Sequence, residues 1–152
     1  MKEFIEQFTR EKLFDENDIL KLRSEFYLVQ PELATILRKT KHQTSFIGIY
    51  LGKKKKNFIP SSYLLEKLAK HTKNKVSVND KGAWMFICGK HIYARSITEF
   101  NPQQKFNDLI LVLNKHNECL GYGKMINRFD SKKVAVQNIF DIGDFVRRER
   151  KN

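Results

Sequence analysis

The side chains of this chain that could do chemistry are mostly cations, and the densest group closes it: Arg147, Arg148, Arg150 and Lys151, with Glu149 the one acid among them. Cations crowded in this way suit the neutralisation of successive phosphates, because each displaces condensed counterions and adds salt-dependent affinity. They equally suit the negative end of a helix dipole, which attracts cations with no ligand present. A second run, Lys53–Lys56, carries a similar pair of readings: contact with a polyanion, or a solvated hairpin tip that keeps a strand edge from pairing with other chains. Lys90 and Arg95 flank the HIY segment, and Lys124 and Arg128 follow Gly121-Tyr122-Gly123. These four are either further phosphate contacts or solvated strand ends.

The rest of the reactive inventory is sparse. Cys88 and Cys119 stand 31 positions apart with no CxxC pair, and His42, His71, His91 and His116 are scattered with no ligand spacing, so two reduced thiols and no metal site are expected. Gly121-Tyr122-Gly123 lacks the rest of a phosphate loop, no GxGxxG turn occurs, and no Cys or Asp sits in a recognisable catalytic setting. The expectation is a protein with no catalytic residue, no cofactor and no metal. The formal net charge is +12 and the pI about 9.7. That charge is polarised: residues 1–32 hold five Lys or Arg against eight Asp or Glu, and the remainder holds twenty-four against nine. Such a distribution points to one surface that meets a polyanion. No apolar run approaches the roughly 18 residues of a membrane helix, and the opening MKEFIEQFTREKLF is too acidic for a signal peptide, so no membrane partner is expected.

These cations must be positioned by an α+β fold. Phe4, Ile5, Phe8 and Leu13 predict a packing helix over residues 1–14, followed by a short helical stretch over Asn17–Leu22 and a strand over Ser24–Gln30. Pro31 suits the first turn of a helix through Lys39 with Leu33, Ile36 and Leu37 as its stripe, and Ser45–Gly52 reads as a strand leading into the lysine run. Pro60 and Ser61 open an amphipathic helix with Tyr63, Leu64, Leu65, Leu68 and Ala69 at helical spacing, and the polar HTKNK of residues 71–75 is the best domain boundary. Beyond it, short strands separated by turns predict a small barrel: KVSV, AWMFICG, HIYARSITEF, DLILVLN, CLGYGKMI and a closing strand over Val134–Phe140. Trp84 and Phe86 are expected in its core. Asp141 is expected to cap a short final helix, with Ile142, Phe145 and Val146 inward and the terminal cations outward.

From about Gly48 onward the chain resembles a PUA-domain ribosome-biogenesis family of archaea and eukaryotes, the nucleolar "nuclear import" proteins of large-subunit (60S) assembly. The resemblance rests on IYLGK at residues 49–53, the helix around Tyr63–Ala69, KVSV, Gly82-Ala83-Trp84-Met85-Phe86 with Gly89, Leu120–Gly123 and DIGDFVRRE at residues 141–149. The first 45 residues depart from the eukaryotic pattern. The resemblance implies an N-terminal α/β domain with an antiparallel sheet over residues 1–72 and a C-terminal PUA pseudo-β-barrel over residues 73–152, with neither cofactor nor catalytic residue. It implies RNA contact by Arg147, Arg148 and Lys151, to which charge adds Arg150. The implied function is noncatalytic RNA binding in pre-rRNA processing, with the large-subunit precursor, its assembly proteins and the RNA-processing exosome as partners. The location would be cytoplasmic in an archaeon and nucleolar in a eukaryote. Two rival readings are an accessory subunit or enzyme of RNA modification, and a protein-interaction adaptor whose charge serves solubility.

Overall fold

A computed structural model of the protein describes residues 1–39, 48–129, 132–144 and 147, and shows two sheets built one after the other along the chain. The first half runs α1 (Lys2–Glu6), β1 (Ile19–Leu22), β2 (Glu25–Leu28), α2 (Pro31–Lys39), β3 (Ile49–Lys54), β4 (Phe58–Pro60) and α3 (Ser62–His71). Its strands pair in the order β1-β2-β3-β4, antiparallel throughout. The second half runs β5 (Lys75–Val78), α4 (Asp80–Ile87), β6 (Ile92–Tyr93), β7 (Ile97–Phe100), β8 (Leu109–Leu113), β9 (Cys119–Met125) and β10 (Val134–Asp141). Here the order is β6-β10-β9-β8-β5-β7, with β5 parallel to β8 and the other neighbours antiparallel.

That order shows why the second sheet is a nearly closed barrel. β6 and β7 occupy opposite edges, yet only the 3₁₀ turn Ala94–Ser96 separates them in the chain. Three residues reach roughly 10 Å at most, so the two edges lie side by side. Val76, Val78, Phe86, Ile92, Ile110, Val112 and Val136 fill the interior. The alternate residues of β8, Leu111 and Leu113, point out of the barrel into a second cluster with Cys119 and Tyr122. That cluster is completed by Phe4, Ile5 and Phe8 of the N-terminal segment and by Leu64, Leu65 and Leu68 of α3. β8 is therefore covered on both faces, which is why LILVL reads as an unbroken apolar run.

α3 forms where expected, because the Ser61 hydroxyl accepts from Leu64 N at 3.2 Å and Lys70 and His71 sit in its last turn. The residues after it are tied down. The buried Thr72 hydroxyl donates to Phe8 O (2.7 Å) and accepts from Asn74 N (2.9 Å), and Lys75 Nζ donates to Ala69 O (2.7 Å). Gly121 and Gly123 let the backbone of β10 approach β9 closely. A Cβ on Gly121, at φ +143°, would lie 2.1 Å from Phe140 O.

Several expected elements are corrected. The helix over residues 1–14 is confined to Lys2–Glu6, although Phe4, Ile5 and Phe8 are buried as expected. Asn17–Leu22 is a 3₁₀ turn at Glu16–Asp18 followed by strand β1, which pairs with β2 across a two-residue turn. AWMFICG is not a strand but the body of helix α4, and HIYARSITEF is two strands broken by the 3₁₀ turn. The strand leading to the lysine run begins at Ile49, and the Ser45–Ile47 part of that expectation lies outside the described residues. Leu33 and Ile36 of α2 form no buried stripe, being exposed. Lys54, Lys55 and Lys56 do form an exposed hairpin tip between β3 and β4.

Candidate nucleic-acid interface

α4 exists because the Asn79 side chain accepts from Gly82 N at 2.8 Å and Asp80 occupies the first turn. Helical spacing then sorts its residues. Gly82 and Phe86 are buried, with Ala83 and Ile87 packed against the barrel core, while Lys81, Trp84 and Met85 face out. Trp84, expected in the core, is 66% exposed and is the sole Trp of the chain. Trp84 and the adjacent Met85 thus leave a flat ring and a thioether in solvent on the outer face of α4. The cations follow directly: Lys90 is exposed after the helix, and Arg95 stands over the exposed Tyr93 ring, its guanidinium carbon 5.4 Å from the centroid. α4 packs on β6, so these residues belong to adjoining elements on one side of the barrel.

Arg147 behaves differently from expectation. It does not project outward but folds back onto Asp141, which is 2% exposed: Nη1 donates to Oδ1 at 2.9 Å and Nη2 to Oδ2 at 2.8 Å. Nη1 also donates to Ile87 O, one of the carbonyls that the end of α4 leaves unpaired. Asn138 Nδ2 completes the cap, donating to Phe86 O at 2.9 Å and to Asp141 Oδ2 at 3.1 Å. Asp141 accepts a backbone N–H, from Gly143 at 2.9 Å, so it does shape the final turn. The correction is in its main partner: a buried carboxylate requires a countercharge, and the cation six residues later supplies it. That carboxylate pushes the Arg147 guanidinium pKa further up, mainly through the hydrogen bonds. Ile142, expected inward, is exposed, and Phe145 and Val146 lie outside the described residues.

The eight expected contact residues thus divide. Arg148, Arg150 and Lys151 lie outside the described residues. Lys90 and Arg147 both stand at the C-terminal end of α4, where Asn138 Nδ2 reaches Lys90 O at 3.4 Å and Arg147 reaches Ile87 O. Arg95 is at the other end of β10, since Tyr93 pairs with Val134 and Ala94 N donates to Lys133 O. Lys124 is half-buried within β9 opposite Gln137, and the exposed Arg128 follows that strand on the wall of a groove of about 500 Å³. Sequence reasoning missed Trp84 and the groove aromatics Phe100 and Phe106 as surface residues; the Asn79 cap was the signal for the first. Among the described residues no cluster of His, Cys, Asp and Glu could hold a metal ion, and no helix is long and apolar enough to cross a membrane.

Known proteins share this fold. A UPF0113 protein of Archaeoglobus fulgidus is 26% identical over 114 residues, 69% of this chain; the chain spans only 63% of that relative's length. A conserved PUA domain protein of Thermoplasma acidophilum superposes with a TM-score of 0.64 at 18% identity, over 97% of this chain and 92% of that one. A hypothetical protein of Pyrococcus horikoshii superposes with a TM-score of 0.58 at 17% identity, over 95% and 91% of the two chains. The family model described as the UPF0113 PUA domain matches residues 74–150, from β5 through the Asp141 to Arg147 turn, and the chain belongs to that family.

Proposed function

We propose that the protein is a noncatalytic RNA-binding factor that holds RNA on the outer face of α4 and the stretch after it. The observation that carries this reading is Trp84, 66% exposed on a helix whose neighbours along the chain include Lys81, Lys90 and Arg95. A flat π face for a base beside cations for phosphates is the arrangement that single-stranded and irregular RNA requires. The PUA fold and the net charge of +12 support the same partner. Arg148, Arg150 and Lys151 are assigned to phosphates on charge, while Arg147 holds the turn from which they continue. The resemblance carried by IYLGK and DIGDFVRRE supports a finer reading: pre-rRNA as the RNA, and large-subunit precursors with their assembly proteins and the exosome as the setting.

The single Trp makes the test direct. Titration with a short single-stranded RNA should quench Trp84 emission. Trp84→Ala should weaken binding about tenfold, the scale of one lost base stack. Replacing both Lys90 and Arg95 with Ala should lower the slope of log K against log salt by about 1.4 for single-stranded RNA. Unquenched emission together with unaltered affinity in both variants would refute the assignment. For the finer reading, the RNA crosslinked to the protein in cells should map to large-subunit precursors; recovery of small-subunit RNA alone would refute it.

A further inference from the structure

Resting on the RNA-binding reading, we propose that the groove between β7 and the end of β9 is a pocket for a single unpaired base, a subsite separate from the α4 surface. Three aromatic rings line it. Phe100 and Phe129 are locked edge-to-face with centroids 4.9 Å apart, and Phe106 projects beside them, 64% exposed. Its volume of about 500 Å³ falls within the roughly 300–1,000 Å³ of small-molecule sites and is ample for a nucleotide.

The polar groups of the groove choose a base over an apolar peptide. Asn101 Oδ1 accepts from Gln103 N at 3.0 Å, which fixes the amide and leaves Nδ2 as a donor. Asn127 Nδ2 donates to Val134 O at 2.8 Å, which leaves Oδ1 as an acceptor. Neither of these remaining atoms has a protein partner among the described residues. One spare donor and one spare acceptor beside stacked rings match the edge and the face of a nucleobase. A third amide marks the wall. Gln104, 9% exposed, donates from Nε2 to Lys73 O (3.3 Å) and Lys75 O (2.9 Å), and its Oε1 is buried with no partner. The exposed Arg128 on the same wall supplies positive charge for the phosphate that accompanies the base.

The test uses the full chain and two RNA hairpins of equal length, one fully paired and one with a single unpaired 2-aminopurine. Protein should quench the 2-aminopurine. Phe106→Ala should weaken binding of that hairpin about tenfold while changing the paired one less than twofold, Phe106→Leu should lose nearly as much, and Phe106→Trp should retain affinity. Because Phe106 is exposed, these variants keep the native thermal transition. Wild-type affinity of Phe106→Ala for both hairpins, or equal loss on both, overturns the base pocket; full retention by Phe106→Leu does so too, since apolar bulk would then suffice. If Trp84 emission is still quenched by the paired hairpin, the RNA-binding reading survives that failure. If neither hairpin binds, both readings fall together.

Discussion

The Arg147 guanidinium lies against Gly89 and grips the buried Asp141 carboxylate with two hydrogen bonds, of 2.9 and 2.8 Å, while also reaching Ile87 O. One cation thereby joins the last strand, the final turn and the end of α4. A Cβ on Gly89 would stand 3.3 Å from Arg147 Nη2, and one on Gly143 only 2.1 Å from Ile87 O, so both glycines belong to the same joint.

Removing the cation leaves Asp141 buried and unpaired. Breaking a buried pair from one side costs about 3–5 kcal/mol, and with the Arg147 side chain 36% exposed we expect about 2 kcal/mol for Arg147→Ala. Arg147→Lys should recover little of it, because an ammonium cannot reproduce the two-pronged contact. Urea midpoints of the three proteins check this. A Lys variant as stable as the wild type would show that charge alone suffices.

Alkaline pH should destabilise the protein through two acids that the fold holds in their neutral forms. Burial pushes the Cys119 thiol from its ordinary 9.0 up to about 12, and the hydrogen bond to Glu25 pushes the Tyr27 phenol from 10.0 up to about 12. Both pKa values are raised on folding. Their contribution is thus complete below pH 9 and is lost as the pH rises from about 9 through about 12. Urea midpoints measured from pH 8 to 11 should fall, and Cys119→Ala should flatten part of the decline while Tyr27→Phe flattens another part. In the native state at pH 8 a thiol reagent should label the exposed Cys88 and spare Cys119.

The outward face of β8 and β9 depends on the N-terminal half. Leu64, Leu65, Leu68 and Leu111 are fully buried in one cluster that spans both sheets. Leu68→Ala should cost about 2–5 kcal/mol. A fragment of residues 73–152 would leave Leu111, Leu113 and Tyr122 uncovered, and should bind a hydrophobic dye and unfold at lower urea than the full chain. A fragment matching the full chain in both measurements would mean the shared cluster contributes nothing.

Much of this architecture is legible in the sequence where period and caps agree. Ser61 with the Leu64, Leu65, Leu68 stripe specifies α3, and the runs of β5, β8, β9 and β10 stand out between turns. α4 is misread because Ala83–Cys88 is apolar almost throughout and satisfies either period; the deciding signal is the Asn79 cap. The turn that closes the barrel carries no Gly or Pro, only Ala94-Arg95-Ser96. β1 is hidden because its hairpin turns through Arg23 at φ +51°, where Asn or Gly would be the recognisable choice. The Asp141–Arg147 pair is invisible to pattern reading for another reason. A residue that looks like a helix cap and a residue that looks like part of a cationic tail become partners only once the chain turns at Ile142 and Gly143.

That pair also separates two roles which composition merges. If Arg147 is a positioning residue and Arg148, Arg150 and Lys151 are phosphate contacts, the two groups should respond differently to substitution. Replacing the latter three with Ala should leave the urea midpoint unchanged and lower the slope of log K against log salt by about 2 for single-stranded RNA. Arg147→Lys should do the reverse, lowering the midpoint while leaving the slope within experimental error, because the charge is kept and only the fork is lost. Measuring both variants by anisotropy across a salt series, at a temperature where each is fully folded, distinguishes the roles. A lowered slope in Arg147→Lys would make Arg147 a direct RNA contact, and an unchanged slope in the triple variant would leave the terminal cations as solvated charge.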